Sequence, residues 1–335
     1  MRAVVLVGGE GTRLRPLTLT TPKQMLPVAG RPMIERVLEH LAAHGIDDVV
    51  LSLGYKPDAF RAAYPDGVCG GVSLHYATED EPLDTGGAIR FAALHAGIDD
   101  TFVVLNGDVL TRFDIGALVS AHRRWGAEAT IGLTPVEDPS AFGVVPTDND
   151  GRVTAFIEKP LRHEAPTNLI NAGIYVCEPS VLERIEGGRR VSVEREIFPQ
   201  LVAAGALYAQ ASDAEWIDVG TPQRYLDANL AFAGPDGHRG EGTVVDPSAT
   251  LNHSVLGAGV RVGPGAVLDH VVALDGVDIG AGAQLHHALV GWGAHIGAGA
   301  RLYDFVVVGD GVRVAPGTTW SASRIDATTI SDAGG

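Results

Sequence analysis

Three glycines and three cations share the first stretch of this chain where chemistry could reside. Gly8, Gly9 and Gly11 follow the apolar run of residues 3–7, and Arg13, Arg15 and Lys23 follow the glycines. The run reads as a buried strand of a parallel sheet. A glycine-rich turn at the carboxyl edge of such a strand lets backbone N–H groups converge on an anion, and the cations neutralise it. The turn is therefore suited to a polyphosphate. A P-loop is excluded because no Lys follows any glycine of the turn; a dinucleotide fingerprint is excluded because Leu14 stands where a third glycine is required. Pro16, the threonines between 18 and 21, and Pro22 postpone any helix until about Met33.

Two carboxylates mark strand ends further on. Asp108 follows the apolar residues 102–105 through Asn106 and Gly107, and Asp218 lies in Trp216-Ile217-Asp218-Val219-Gly220-Thr221-Pro222. A carboxylate on such a rim suits Mg²⁺, which takes one or two carboxylates together with phosphate oxygens. Helix capping is the competing role, but Asp114 and Thr221-Pro222 are better placed for it. Glu158-Lys159-Pro160 ends another strand, and Asn171-Ala172-Gly173 opens the next. Lysine is scarce, with three residues against 22 arginines, so a lysine that persists does what arginine cannot: act as a compact point charge. Lys23 and Lys159 fall inside these segments; Lys56 reads as a surface residue at a helix start.

The opening segment, in the form GGxGTRLxPLT followed by PK, resembles the signature of the sugar nucleotidyltransferases, or NDP-sugar pyrophosphorylases. The resemblance implies that Arg13 and Lys23 bind the nucleoside triphosphate and the developing pyrophosphate, with Gly8, Gly9, Gly11 and Thr12 around them. It extends to the strand-end G-D and to W-x-D-x-G-T-P, whose aspartates, here Asp108 and Asp218, jointly hold the metal in that family. It also implies that Glu158 meets sugar hydroxyls, Lys159 the sugar phosphate, and Gly143, Asn171 and Gly173 the ring. Residues 81–87, including Glu81, Pro82 and Gly86, resemble E-P-L-G-T-A-G-A of mannose-1-phosphate guanylyltransferases and would meet base and ribose. Asp84 replaces the usual glycine there, and Gln24 the usual proline after Lys23. The implied reaction is in-line attack of a sugar 1-phosphate oxygen on the α-phosphorus of a nucleoside triphosphate, with Mg²⁺, GTP and mannose 1-phosphate favoured. Glucose 1-phosphate or a cyclitol or deoxy-sugar phosphate with another base is the nearest alternative. A non-catalytic nucleotide-sugar-binding subunit is a further one.

These residues need a frame. Between residues 3 and about 230, strands and helices alternate, with helices at 33–43, 86–96 and 115–122 and strands at 49–53, 102–105 and 129–133. That pattern implies a doubly wound, Rossmann-like, mostly parallel sheet with its ligand crevice at the carboxyl ends of the strands. From Val245 an aliphatic residue returns about every six positions, through Leu251, Leu256, Val262, Leu268, Leu274 and on to Trp320, with three one-residue slips. This is a hexapeptide repeat, implying a short left-handed parallel β-helix of about four coils. The expected layout is a catalytic domain 1–232, a linker 233–243, a β-helix 244–320 and a tail 321–335, with the two cores separable. His253, His270, His286, His287 and His295 within the repeat raise the alternative of an acyltransferase β-helix.

Composition narrows the partners. A formal net charge of −16 argues against nucleic acid or an anionic membrane, and no apolar run approaches the roughly 18 residues of a membrane span. Cys69 and Cys177 have no metal-ligand spacing and imply no disulfide framework. With no leader pattern before the first strand, a cytoplasmic protein is expected, and the β-helix suggests a homo-oligomer, a dimer or tetramer.

Overall fold

A computed structural model describes residues 1–327, which form two compact units: residues 1–9 with 34–217, and residues 10–33 with the chain from 218 onward. In the first unit, β1 (Ala3–Leu6), β2 (Asp48–Leu53), β3 (Val72–Thr78), β4 (Phe102–Asn106), β5 (Ala129–Pro135), β6 (Leu169–Cys177) and β7 (Leu207–Ala211) share one sheet. Their order is β7-β5-β6-β4-β1-β2-β3, with Gly143–Val144 and Ile157–Glu158 added beyond the start of β6. β1 pairs in parallel with β2 and β4, and β2 with β3; β6 runs antiparallel to both its neighbours. The reversed strand matters for function. It brings the start of β6 to the same rim as the carboxyl ends of β1 and β4.

Helices α1 (Met33–Ala43), α2 (Asp84–His95) and α3 (Ile115–Trp125) occupy the expected places. The α1 face of Met33, Ile34, Val37, Leu38 and Leu41 is buried, as its 3.6-residue period requires. Asp114 caps α3 by accepting from the Ala117 N–H at 2.9 Å, and Gly126, at φ 59°, ends it three residues beyond the expected stop. The strand at β3 escapes an apolar-run reading because buried Val72 and Leu74 alternate with exposed Ser73 and His75. Among the described residues no helix is long and apolar enough to cross a membrane.

In the second unit the repeat winds as a parallel β-helix. Its rows run Val245, Val262, Ile279, Ile296, Val314; Leu251, Leu268, Leu285, Leu302, Trp320; and Leu256, Ala273, Val290, Val308, Ile325. The coil is thus 17 residues, with one extra residue entering at the corner between Leu302 and Val306, and the slips are a regular feature rather than defects. Ala273, not Leu274, holds the row position, although Leu274 is also buried. The shortened corner carries His253, His270 and His287 at φ 42°, 53° and 49°. Histidine tolerates this left-handed region better than most side chains. The rings of His270 and His287 stack at 4.9 Å, His270 Nδ1 lies 2.9 Å from Asp269, and His295 lies 3.2 Å from Asp278. These imidazoles build the corner and wall of the coil.

The units do not follow the boundaries read from the sequence. His238–Arg239, inside the segment read as a linker, already pairs with Val255–Leu256; Arg324–Ile325 extends the coil past 320. Residues 328–335 of the tail lie outside the described residues. Helix α4 (Pro222–Ala233), capped by Thr221 through the Arg224 N–H at 3.3 Å, packs on strands Val255–Leu256, Val267–Ala273 and Gln284–Val290. Its buried Tyr225, Leu226 and Leu230 belong to the core of this unit. Deleting residues 244–335 is therefore expected to expose apolar surface and lower the melting temperature, on the order of 2–4 °C per kcal/mol lost for a chain of this size. A truncated chain that melts cooperatively at the full-length temperature would restore the separable-core reading.

Candidate active site

In the first unit the candidate residues collect on one rim of the sheet. Gly8 and Gly9 follow β1 directly, and the Gly8 carbonyl accepts from the Tyr55 N–H at 3.3 Å. Gly54, at the end of β2, faces Gly8 so closely that an added Cβ would stand 3.0 Å from the Gly8 carbonyl oxygen. Gly107 closes the next strand end: a Cβ there would meet Val7 Cγ1 at 2.5 Å and the Leu6 carbonyl oxygen at 2.9 Å. Asp108 follows on this rim, half-buried. Gly107→Ala is expected to cost about 1–3 kcal/mol through overpacking of these strand ends. Urea denaturation reads it, and an unchanged midpoint would show that the rim yields without cost.

The reversed strand supplies the opposite side of the same rim. Its pairing with β5 shifts register between Asn171 and Tyr175, and Gly173 sits in this irregularity at φ 72°. A Cβ on Gly173 would stand 2.5 Å from Asn106 Nδ2, so a side chain is barred there. Asn171 sets the bend: its Oδ1 accepts from the Gly173 N–H at 2.9 Å and its Nδ2 donates to Tyr175 Oη at 2.8 Å. Burial pushes the Tyr175 phenol well above its ordinary range, so the ring is a neutral support. Gly143 pairs with Glu158, and a Cβ at Gly143 would run into the Phe156 ring at 2.5 Å. Glu158 and Lys159 form an ion pair at 3.3 Å, with Lys159 at φ 49° and largely exposed on the terminal strand. An exposed pair of this kind contributes little to stability. Both charges are therefore available for recognition at small structural cost.

Residues 81–87 lead into α2. Glu81 and Pro82 are exposed, and Asp84 takes φ 60°. The resembling motif has glycine at this position, and the left-handed backbone is the physical reason; Asp is among the residues that tolerate it. Gly86 is buried and its N–H donates to the Val191 carbonyl at 2.8 Å, so packing against residues 191–193 is what the fold shows for it. Three further residues, unmarked in the sequence, hold this segment and the rim. Glu79 accepts from Ser52 Oγ and from the Leu83 N–H, both at 3.0 Å, pinning the segment to the rim. Glu194 accepts from Thr85 Oγ1 at 2.6 Å, and Gly54 is the partner of Gly8. None stands out in the sequence, because Ser52, Thr85 and Gly8, which they meet, lie far along the chain.

In the second unit the signature cations share a tightly folded loop. Gly11, at φ 62°, comes so near Lys23 and Thr18 that an added Cβ would stand 3.1 Å from Lys23 Cβ and from Thr18 Cγ2. Thr18 Oγ1 donates to the Gly11 carbonyl at 2.8 Å. Thr12 and Arg13 are exposed, whereas Lys23 is buried. Arg15 is paired with Glu10 at 3.1 Å. Gly220 leaves room for both Arg13 and Asp218: its Cβ would stand 2.9 Å from Arg13 Nη2 and 3.2 Å from Asp218 Oδ2. Arg13 and Asp218, a strand-end carboxylate, thus face the same glycine.

The carboxylates Asp108 and Asp218 are hard oxygen donors at strand ends, as a small divalent cation requires. Among the described residues no group of three or more His, Cys, Asp or Glu forms a complete protein cage. Each carboxylate, Asp108 in the first unit and Asp218 in the second, suits an ion that draws its other ligands from phosphate and water.

Comparison with known proteins agrees with this geometry. The nucleotidyl transferase family model matches residues 2–234, and the GMPPB C-terminal domain model matches residues 238–328. Mannose-1-phosphate guanylyltransferase of Mycobacterium tuberculosis is 46% identical over 263 residues, covering 76% of this chain and 72% of that protein. Mannose-1-phosphate guanyltransferase of Hypocrea jecorina is 39% identical over 259 residues, covering 76% and 70%. HddC from Yersinia pseudotuberculosis, solved with GMP-PN, aligns with a TM-score of 0.60 at 29% identity over 69% of this chain and 99% of that one. A UDP-glucose pyrophosphorylase complexed with UDP-glucose, at 20% identity and a TM-score of 0.59, shares the fold. A glycine turn behind the first strand, cations on the loop it begins, carboxylates at strand ends and a match over residues 2–234 converge on one assignment: the chain belongs to the nucleotidyl transferase family.

Proposed function

We propose that the protein transfers a guanylyl group from GTP to mannose 1-phosphate, releasing pyrophosphate. The observation that carries this reading is the close-packed loop of Gly11, Arg13 and Lys23 in a chain 46% identical over 263 residues to a mannose-1-phosphate guanylyltransferase. An oxygen of the sugar phosphate attacks the α-phosphorus; the bond from that phosphorus to the bridging oxygen breaks, and pyrophosphate leaves with the electron pair. Arg13 and Lys23 neutralise the triphosphate and steady the leaving group. Lys159 holds the sugar phosphate, Glu158 the sugar hydroxyls, and Gly143, Asn171 and Gly173 shape the space for the ring. Gly8, Gly9, Thr12 and the segment of Glu81, Pro82 and Gly86 frame the nucleotide. Members of the family generally use a divalent ion; here we infer Mg²⁺ on Asp108 and Asp218, which when bound neutralises charge on the reacting phosphates. Positioning and charge neutralisation supply the catalysis, and no covalent enzyme intermediate is required. The protein is further proposed to act as a cytoplasmic homo-oligomer.

The test is a substrate panel crossing ATP, GTP, UTP and dTTP with mannose, glucose, galactose and N-acetylglucosamine 1-phosphates, with nucleotide-sugar products identified by chromatography. The highest kcat/KM is expected for GTP with mannose 1-phosphate. A few hydrogen bonds decide base preference, so Asp84 and Gln24 are the substitutions to watch. A different preferred pair would retain the reaction and overturn the substrate assignment.

A further inference from the structure

The loop that carries Arg13 and Lys23 is tied to the β-helix. The Thr20 hydroxyl donates to the Asp310 carboxylate, and Pro16 lies on Gly309, where an added Cβ would stand 3.2 Å from Pro16 Cβ. Further along, Tyr225 Oη donates to the Pro27 carbonyl at 2.5 Å, and the Ala29 N–H donates to Asn229 Oδ1 at 2.9 Å. Tyr225 and Asn229 both belong to α4, which packs on the coil. Thr20 lies between the two cations in sequence, so its tether acts on the segment that presents them.

Asp310 combines two tasks. One coil position is shared with Asp275, whose Oδ1 accepts from the Ala258 N–H of the preceding turn at 2.8 Å. Asp310 Oδ1 does the same for the Trp292 N–H at 3.2 Å, while its Oδ2 receives the Thr20 hydroxyl. Burial raises the Asp310 carboxyl above its ordinary range, and the bonds from Thr20 and Trp292 pull it back. A half-buried carboxylate of this kind is held in place by the donors it serves. Charge-assisted bonds are about twice as strong as neutral ones.

We propose that Asp310 is a positioning residue for nucleotide binding, acting through Thr20 to hold the Arg13–Lys23 loop, so that the β-helix is part of the substrate-binding apparatus. This rests on the reading of Arg13 and Lys23 as triphosphate ligands. The experiment uses the full-length chain and measures GTP binding by calorimetry and steady-state kinetics for Thr20→Val, Thr20→Ser, Asp310→Ala, the Thr20→Val/Asp310→Ala double variant and Asp275→Ala. Thr20→Val and Asp310→Ala are each expected to weaken GTP binding about tenfold, the scale of one bond to a charged group. The apparent KM for the sugar phosphate should stay within about twofold, because Lys159 and Glu158 lie outside this loop. The double variant should be no worse than the weaker single one, since both remove the same bond. Thr20→Ser keeps the hydroxyl and should bind as the wild type does. Asp275→Ala removes the corresponding corner bond without touching Thr20 and should alter melting temperature but not GTP affinity. Unchanged GTP affinity in Thr20→Val and Asp310→Ala, additive losses, or an equal loss in Asp275→Ala would each overturn the proposal. A wild-type protein that fails to bind GTP would instead overturn the triphosphate reading beneath it.

Discussion

Asp108→Asn and Asp218→Asn are each expected to lower turnover by about a hundredfold or more, the scale of removing one preorganised charge from a phosphoryl transition state. The substitution keeps shape and removes charge, so it tests the carboxylate rather than the packing. Asp108 is half-buried at the end of β4, behind the tight Gly107 turn, and Asn fits the same space. Asp218 differs because Arg13 faces the same glycine, so its loss should also raise the apparent KM for the nucleotide. Melting temperature measured alongside separates a lost charge from a lost fold. Mg²⁺ titration completes the test: both variants should need more metal for half-maximal rate. Wild-type turnover by either variant at limiting Mg²⁺ removes that residue from the metal site.

Lys23→Ala and Lys159→Ala should fail in different ways, although both remove a lysine. Lys23 is buried with the start of its side chain against Gly11, and its loss should reduce kcat/KM for the nucleotide by about a hundredfold. Arginine should not rescue it: the close approach of Gly11 to the Lys23 stem leaves little room for a longer planar group. Lys159 is exposed and paired only loosely with Glu158 at 3.3 Å, so Lys159→Ala should chiefly raise the apparent KM for the sugar phosphate, by about tenfold. Equal damage by both variants to the same substrate would contradict this division of labour.

What the sequence disclosed and what it withheld follow from range. The glycine turn behind β1 and the turn at Gly107 were legible because strand and turn lie within a few residues of one another. The β-helix was legible from its period, but its coil length was not: 17 residues looks like six-residue sides with slips until the row Leu256, Ala273, Val290 is seen. The reversal of β6 was hidden, since an apolar run carries no direction. Glu79, Gly54 and Glu194 were hidden because their contacts with Ser52, Gly8 and Thr85 span long stretches of the chain. The Thr20–Asp310 tether spans 290 residues and has no local pattern at all. Gly and Pro between residues 234 and 242 mark turns, yet His238–Arg239 already pairs with the coil.

The central claim is transfer of a nucleotidyl group between two phosphates, and pyrophosphate release tests it most directly. With purified full-length protein, Mg²⁺, GTP and mannose 1-phosphate, the account predicts one pyrophosphate per nucleotide-sugar formed, and release that stops when the sugar phosphate or the metal is withheld. No release with any nucleotide and sugar phosphate, from a protein that still binds nucleotide-sugar, would contradict it and show a binding protein in place of an enzyme.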